Sequence, residues 1–186
     1  MRFEPMSIPE IILITPQVFG DERGFFMETY QAQRFGAAGL PYIYVQDNHS
    51  GSQHGTLRGL HYQLRQPQGK VVRVLLGVIY DVAVDLRRWS PTFGQWVGVE
   101  LSASNRTQLW VPPGFAHGFY VVSDWAEVAY KATDYYTPEW ERSILWNDPT
   151  LNITWPIPAG EEPTISTKDK QGSPFSKAEV YEQEIK

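Results

Sequence analysis

The sequence predicts an all-β fold, a barrel or jelly roll, on three observations. Short strand-like runs crowd the middle of the chain, turn residues sit at each break between them, and the aromatic content is high. Seven Trp, ten Tyr and nine Phe make up 14% of the 186 residues. Aromatic side chains favour pleated, half-buried surfaces and also line ligand pockets. A chain of this length builds one domain with a real core, and residues 1–186 are read as a single domain.

Taken in order, Ile11–Thr15 is the first strand and Glu28–Ala38 the first segment with helical character. Lys70–Leu76 and Val78–Leu86 are strands divided by Gly77. Gln95–Leu101 lies between the breaks Ser90-Pro91 and Ser102–Asn105, and Thr107–Val111 ends at Pro112-Pro113-Gly114. Gly118–Val122 stops at Ser123-Asp124, ahead of Glu127–Ala132. β-branched and aromatic residues make these runs strands, and Gly, Pro, Ser and Asp end them. The barrel core is placed at about 40–135. From 136 to 186 the chain carries Pro138, Pro149, Pro156, Pro158, Pro163 and Pro174 with Trp140, Trp146 and Trp155. Proline removes ladder donors, so this part reads as an irregular extension over the barrel, with one further helix at Lys177–Ile185.

The formal net charge of -5 argues against a general nucleic-acid binder, which needs a basic surface to displace counterions. There is no Cys, which excludes disulfides, thiolate catalysis and Cys-ligated metal. The start, Met1-Arg2-Phe3-Glu4-Pro5, has no apolar signal region, and the longest apolar runs are too short to span a bilayer. The expectation is a cytoplasmic protein without a membrane partner.

Four histidines are available for chemistry. In Leu57–Leu64, alternation puts Gly59, His61, Gln63 and Arg65 on one face and Leu60, Tyr62 and Leu64 on the other. The polar set faces either solvent or a polar lumen, and the pattern leaves both open. Lys70, taken alone, reads as an edge charge, and Tyr130 as a core phenol with its hydroxyl near the rim. Asp81, Ala83 and Asp85 share a face that points to solvent or into a closed barrel. His49 and His54, with Gly51 and Gly55 nearby, read as loop. No closely spaced His pair of the metal-binding kind occurs, so no metal is expected. Hydrolase elbows, phosphate loops and dinucleotide fingerprints are absent as well, leaving side-chain acid–base chemistry or simple binding.

Several motifs together resemble one family. They include D-E-R-G-F-F at Asp21–Phe26, V-Q-D-N-H-S at Val45–Ser50, L-R-G-L-H-Y-Q at Leu57–Gln63 and Q-G-K at Gln68–Lys70. P-T-F-G-Q-W-V-G-V at Pro91–Val99, L-W-V-P-P-G-F-A-H-G-F at Leu109–Phe119 and Y-K-A-T-D-Y-Y at Tyr130–Tyr136 follow, then S-I-L-W-N-D-P at Ser143–Pro149 and S-T-K-D at Ser166–Asp169. In this order, from about residue 8 to about 170, they are similar to the dTDP-4-dehydrorhamnose 3,5-epimerases.

The resemblance implies a cupin-type jelly roll that works without metal or cofactor. The implied substrate is dTDP-4-dehydro-6-deoxy-D-glucose, and the implied assembly a homodimer with exchanged N-terminal strands. It assigns His61 as base, Asp169 as its partner carboxylate, Lys70 to the developing oxyanion and Tyr130 as proton donor. Substrate contacts would fall on Arg23, Glu28, Gln46, Asp47, Asn48, Arg58, His117, Glu141 and Lys168, with Tyr136 stacking on thymine. Arg23 and Arg58 would grip the diphosphate bidentately, although ideal alternation places Arg58 and His61 on opposite faces unless Gly59 forms a bulge. Other readings are an epimerase acting at C3 or C5 alone, a related cupin shifting the keto group between C3 and C4, and a non-catalytic sugar-nucleotide-binding jelly roll.

Overall fold

In the computed structural model, which describes residues 1–41 and 43–185, the chain forms two antiparallel sheets packed as a jelly roll, and a separate hairpin. The six-stranded sheet contains, in spatial order, β1 (Arg2–Pro5), β2 (Ile12–Thr15), β10 (Gln108–Val111), β7 (Lys70–Leu76), β12 (Trp125–Ala132) and β5 (Gln46–Gln53). The five-stranded sheet contains β13 (Glu141–Ser143), β6 (Leu57–Gln63), β11 (Phe115–Val121), β8 (Val78–Asp85) and β9 (Trp96–Ser102). The hairpin pairs β3 (Val18–Asp21) with β4 (Gly24–Met27).

Between the sheets, Val72, Val74, Leu109 and Val128 pack against Ile79, Ala83, Val97, Leu101, Phe115 and Phe119. The outer face of the five-stranded sheet is buried too. Leu60 and Tyr62 of β6, Val82 and Val84 of β8 and Tyr120 of β11 lie under Ile144, Leu151, Trp155 and Tyr181. A strand buried on both faces carries apolar residues on both, and Val78–Leu86 is interrupted only by the buried Asp81 and Asp85, so it reads plainly as strand. On the other sheet, Ile14, Val71 and Trp110 are covered by Phe35 and Leu40.

Several local expectations are corrected. The helix expected at Glu28–Ala38 is only α1 (Ala32–Ala37), because the Gln31 side chain caps it by accepting from the Arg34 N–H at 2.7 Å. The helix expected at Lys177–Ile185 is absent among the described residues, apart from a 3-10 turn at Phe175–Lys177. Tyr181 instead pairs beside Arg87 through backbone hydrogen bonds to Leu86 and Arg88, so tertiary pairing overrides local propensity. A short helix not anticipated, α2 (Thr167–Lys170), is capped by Ser166.

The strand expected at Gly118–Val122 begins earlier, at Phe115, and every residue of β11 is buried. β5 was also unexpected, and it places His49 on a strand rather than in a loop. Its sequence, Gln-Asp-Asn-His-Ser-Gly-Ser-Gln, lacks the apolar alternation of a core strand, yet all eight residues pair with β12. His54 lies in the turn that follows. The sheets also draw on β1, β2 and β13, which lie outside residues 40–135.

Candidate active site

The polar face of β6 points into the barrel. His61 and Arg58 both line a cavity of about 380 Å³ between the sheets, while Leu60, Tyr62 and Leu64 pack outward under the C-terminal segment. The shared orientation of Arg58 and His61 comes from a β-bulge. His117 pairs with His61 and Phe119 with Arg58, so Gly59 and Leu60 together oppose Gly118 alone. Gly59 is required there: its φ is +115°, and a Cβ would stand 2.6 Å from the Gly118 Cα and 2.7 Å from the His117 carbonyl oxygen.

His61 is anchored from behind. Its Nε2 lies 2.6 Å from Asp169 Oδ1, and the Gly59 N–H donates to Asp169 Oδ2 at 3.4 Å. Asp169 is held in α2, where its own N–H donates to the Ser166 hydroxyl at 3.0 Å. Burial pushes the Asp169 carboxyl upward, but hydrogen bonds from His61, Gly59 and Ser166 outweigh it and hold the carboxyl below its ordinary range. An ionised Asp169 fixes the Nε2–H tautomer of His61, which leaves the Nδ1 lone pair as the basic site.

The opposite wall comes from the other sheet. Lys70 opens β7 and Tyr130 lies on β12, with the Lys70 ammonium 5.6 Å from the centre of the Tyr130 ring. Burial lowers Lys70 to about 8, against partial support from Asp81 and Glu141. Tyr130 is raised, first by burial and then by Glu141 and Tyr136, so its phenol stays protonated at neutral pH.

Nine of the fourteen residues assigned from sequence line this cavity: Gln46, Asn48, Arg58, His61, Lys70, His117, Tyr130, Tyr136 and Glu141. Asp169 stands behind His61, and Lys168 forms an ion pair with Glu141 at the rim. The Tyr136 hydroxyl also donates to Glu141, at 2.5 Å. Burial raises the Glu141 carboxyl, but Lys168, Tyr136 and His61 together bring it below its usual range.

Three residues are not brought into the cavity of this chain. Asp47 points to the outer face and binds the Lys131 ammonium at 3.0 Å. Arg23 sits on the exposed hairpin, paired with Asp21, and Glu28 pairs with Arg34 at 3.5 Å.

His49 and Ser50 of β5 line the cavity without having been singled out, since that polar strand carries no apolar signal, and so does Gln68 just ahead of β7, which the sequence showed only as part of the Q-G-K motif. Asp81, left undecided by the sequence, is fully buried and accepts from His117 Nε2 at 2.9 Å and 3.0 Å. Asp85 is structural: it binds Arg87, Ser90 and Thr92 away from the cavity. Among the described residues, no three His, Asp or Glu side chains are grouped to hold a metal ion, and no helix is long and apolar enough to cross a membrane.

This arrangement suits proton transfer on a nucleotide-linked ligand, and the comparisons point the same way. A family model for dTDP-4-dehydrorhamnose 3,5-epimerase matches residues 5–177. The chain is 57% identical to the dTDP-4-dehydrorhamnose 3,5-epimerase of Pseudomonas aeruginosa, over 97% of this chain and 99% of that one. It is similar to the crystal structure of dTDP-6-deoxy-D-glucose-3,5-epimerase from Legionella pneumophila in complex with dTDP-4-keto-L-rhamnose. That match has a TM-score of 0.94 at 50% identity, over 99% of each chain. A 3'-monoepimerase from Streptomyces bikiniensis, solved with dTDP as a double mutant altered at one histidine and one tyrosine, is 31% identical. Its TM-score is 0.86, over 92% of this chain and 86% of that one.

Proposed function

The chain belongs to the dTDP-4-dehydrorhamnose 3,5-epimerase family, and on that premise we propose that it converts dTDP-4-dehydro-6-deoxy-D-glucose into dTDP-4-dehydro-β-L-rhamnose. The reaction is proton removal and return at C3 and C5, with side chains as base and acid. One observation carries the residue roles: His61 with Asp169 behind it stands on one sheet, and Tyr130 and Lys70 stand on the facing sheet of the same cavity.

The C4 ketone acidifies the hydrogens on both neighbouring carbons, because either carbanion delocalises into an enolate at the same oxygen. His61 Nδ1 takes the proton, and Asp169 stabilises the imidazolium that forms. The Lys70 ammonium faces the developing oxyanion. Inversion requires the new proton to arrive from the opposite face of the sugar, and the Tyr130 phenol supplies it from the opposite wall. Proton transfers of this kind contribute about 10²–10⁴-fold each.

Arg58, Gln46, Asn48, His117, Glu141 and Lys168 hold the substrate, with Tyr136 as the platform for thymine. Arg23, Glu28 and Asp47 complete the nucleotide contacts in a homodimer with exchanged N-terminal strands. The exposed hairpin that carries Arg23 presents Phe19, Phe25 and Phe26 at 56%, 59% and 69% exposure, which suits burial against a second copy. The reaction is placed in the cytoplasm, where nucleotide-activated sugars are made.

Tyr130 by itself does not separate a double from a single epimerase, since the 3'-monoepimerase also offers a tyrosine and a histidine as mutational targets. The stronger support for inversion at both carbons is the 57% identity to a 3,5-epimerase. The test is proton NMR of dTDP-4-dehydro-6-deoxyglucose with the purified protein in D2O, the product being trapped by a reductase. Deuterium at both C3 and C5 is expected, with loss of both in His61→Ala. Exchange at C3 alone would reduce the chain to a single epimerase.

A further inference from the structure

Gln63 lies on β6 two residues beyond His61 and on the same face, yet it does not line the cavity. It is 4% exposed, and each end of its amide is used. Its Nε2 donates to the Gln66 carbonyl at 2.8 Å and to the Tyr135 carbonyl at 3.2 Å, and its Oε1 accepts from the Thr137 N–H at 2.7 Å. Between those two anchored residues stands Tyr136, whose own N–H donates to Gln46 Oε1 at 2.9 Å. Three consecutive backbone units of the loop are therefore held by two glutamine side chains, one from each sheet.

Tyr136 is not a buried core ring: it is 47% exposed, and its hydroxyl reaches Glu141. The position of its ring is set by the backbone that carries it together with the bond from its hydroxyl to Glu141, and Gln63 fixes that backbone on both sides. A buried amide with both donor and acceptor committed is costly to disturb, because each loop group it satisfies would be left without a partner.

We infer that Gln63 is a positioning residue for substrate binding: it holds the 135–137 backbone so that the Tyr136 ring is presented to the nucleobase. This rests on the reading of Tyr136 as the thymine platform. It makes Gln63 act on binding through Tyr136 rather than on the chemistry of its neighbour His61.

The experiment is a double-mutant cycle on the full-length enzyme, with kcat and KM measured for Gln63→Met, Gln63→Glu, Tyr136→Ala and the Gln63→Met/Tyr136→Ala pair. Gln63→Glu keeps the acceptor for Thr137 and loses the donors, so it supplies a second variant if Gln63→Met does not fold. Either Gln63 variant should raise KM about fivefold or more with kcat within about twofold, and the rise should vanish in the Tyr136→Ala background. An equal KM rise with and without Tyr136 would overturn the inference, since it would mark a general packing effect. A fall in kcat at unchanged KM would overturn it by moving Gln63 into the support of His61. Unchanged KM in Tyr136→Ala alone would remove the platform reading and this inference with it, whereas a Tyr136 effect without a Gln63 effect would remove only the inference.

Discussion

His61 and His117 are directly opposite on adjacent strands, and each holds its own buried aspartate through Nε2: Asp169 for His61, Asp81 for His117. The two pairs differ in where their carboxylates come from. Asp169 is delivered by a short helix of the C-terminal segment, whereas Asp81 is part of β8 in the same sheet. Similar local geometry thus serves two proposed roles, base for His61 and ligand contact for His117.

The roles separate in kinetics. Asp169→Asn is expected to lower kcat by about 10²–10⁴-fold with KM changed only a few-fold, because the tautomer and the imidazolium lose their support. Asp81→Asn should instead raise KM, with the smaller effect on kcat when both are measured well below pH 8, because Asp81 also supports the Lys70 ammonium. Steady-state kinetics on both variants decides it, and the reverse pattern would exchange the assignments of the two histidines.

In its proposed role, Lys70 is expected to set an alkaline limit on the reaction. Its ammonium is the form that stabilises an enolate, and burial brings it down from 10.5 to about 8. The charged form is therefore complete well below pH 8 and is lost as pH rises through that value, so kcat/KM, which reports the free enzyme, should fall across this range. Tyr130, raised above its ordinary 10, cannot produce a limb so low. Arginine stays charged throughout, so Lys70→Arg should lower the maximum but remove the limb near pH 8. A pH–rate profile with the limb intact in Lys70→Arg would reject this origin.

Gly59→Ala tests the bulge. With φ at +115° and the Gly118 Cα 2.6 Å from the added Cβ, strain and overlap should cost roughly 2–4 kcal/mol of stability. The urea midpoint measures the loss. Activity should fall beyond what stability explains, because Arg58 and His61 share the cavity only through this bulge. A variant with unchanged midpoint and activity would show that β6 reaches its register without glycine.

The sequence by itself determined an all-β barrel or jelly roll, and the resemblance of its motifs narrowed this to the jelly roll and to the candidate site residues. Val78–Leu86 is buried on both faces and therefore reads as strand whatever surrounds it. His61, Lys70, Tyr130 and Asp169 were legible only as members of motifs, since alternation left His61 undecided between solvent and lumen. Tertiary structure decided what depends on partners distant in the chain. β5 is polar because its inward residues meet an open cavity rather than a core, so no apolar period could announce it. The segment after Lys177 has local helical character but gains more by pairing Tyr181 beside Arg87. Asp81 and Asp85, four residues apart on one strand, are equivalent in sequence. Only the fold gives one to His117 in the cavity and the other to Arg87, Ser90 and Thr92, because a buried carboxylate takes its role from the donors that surround it.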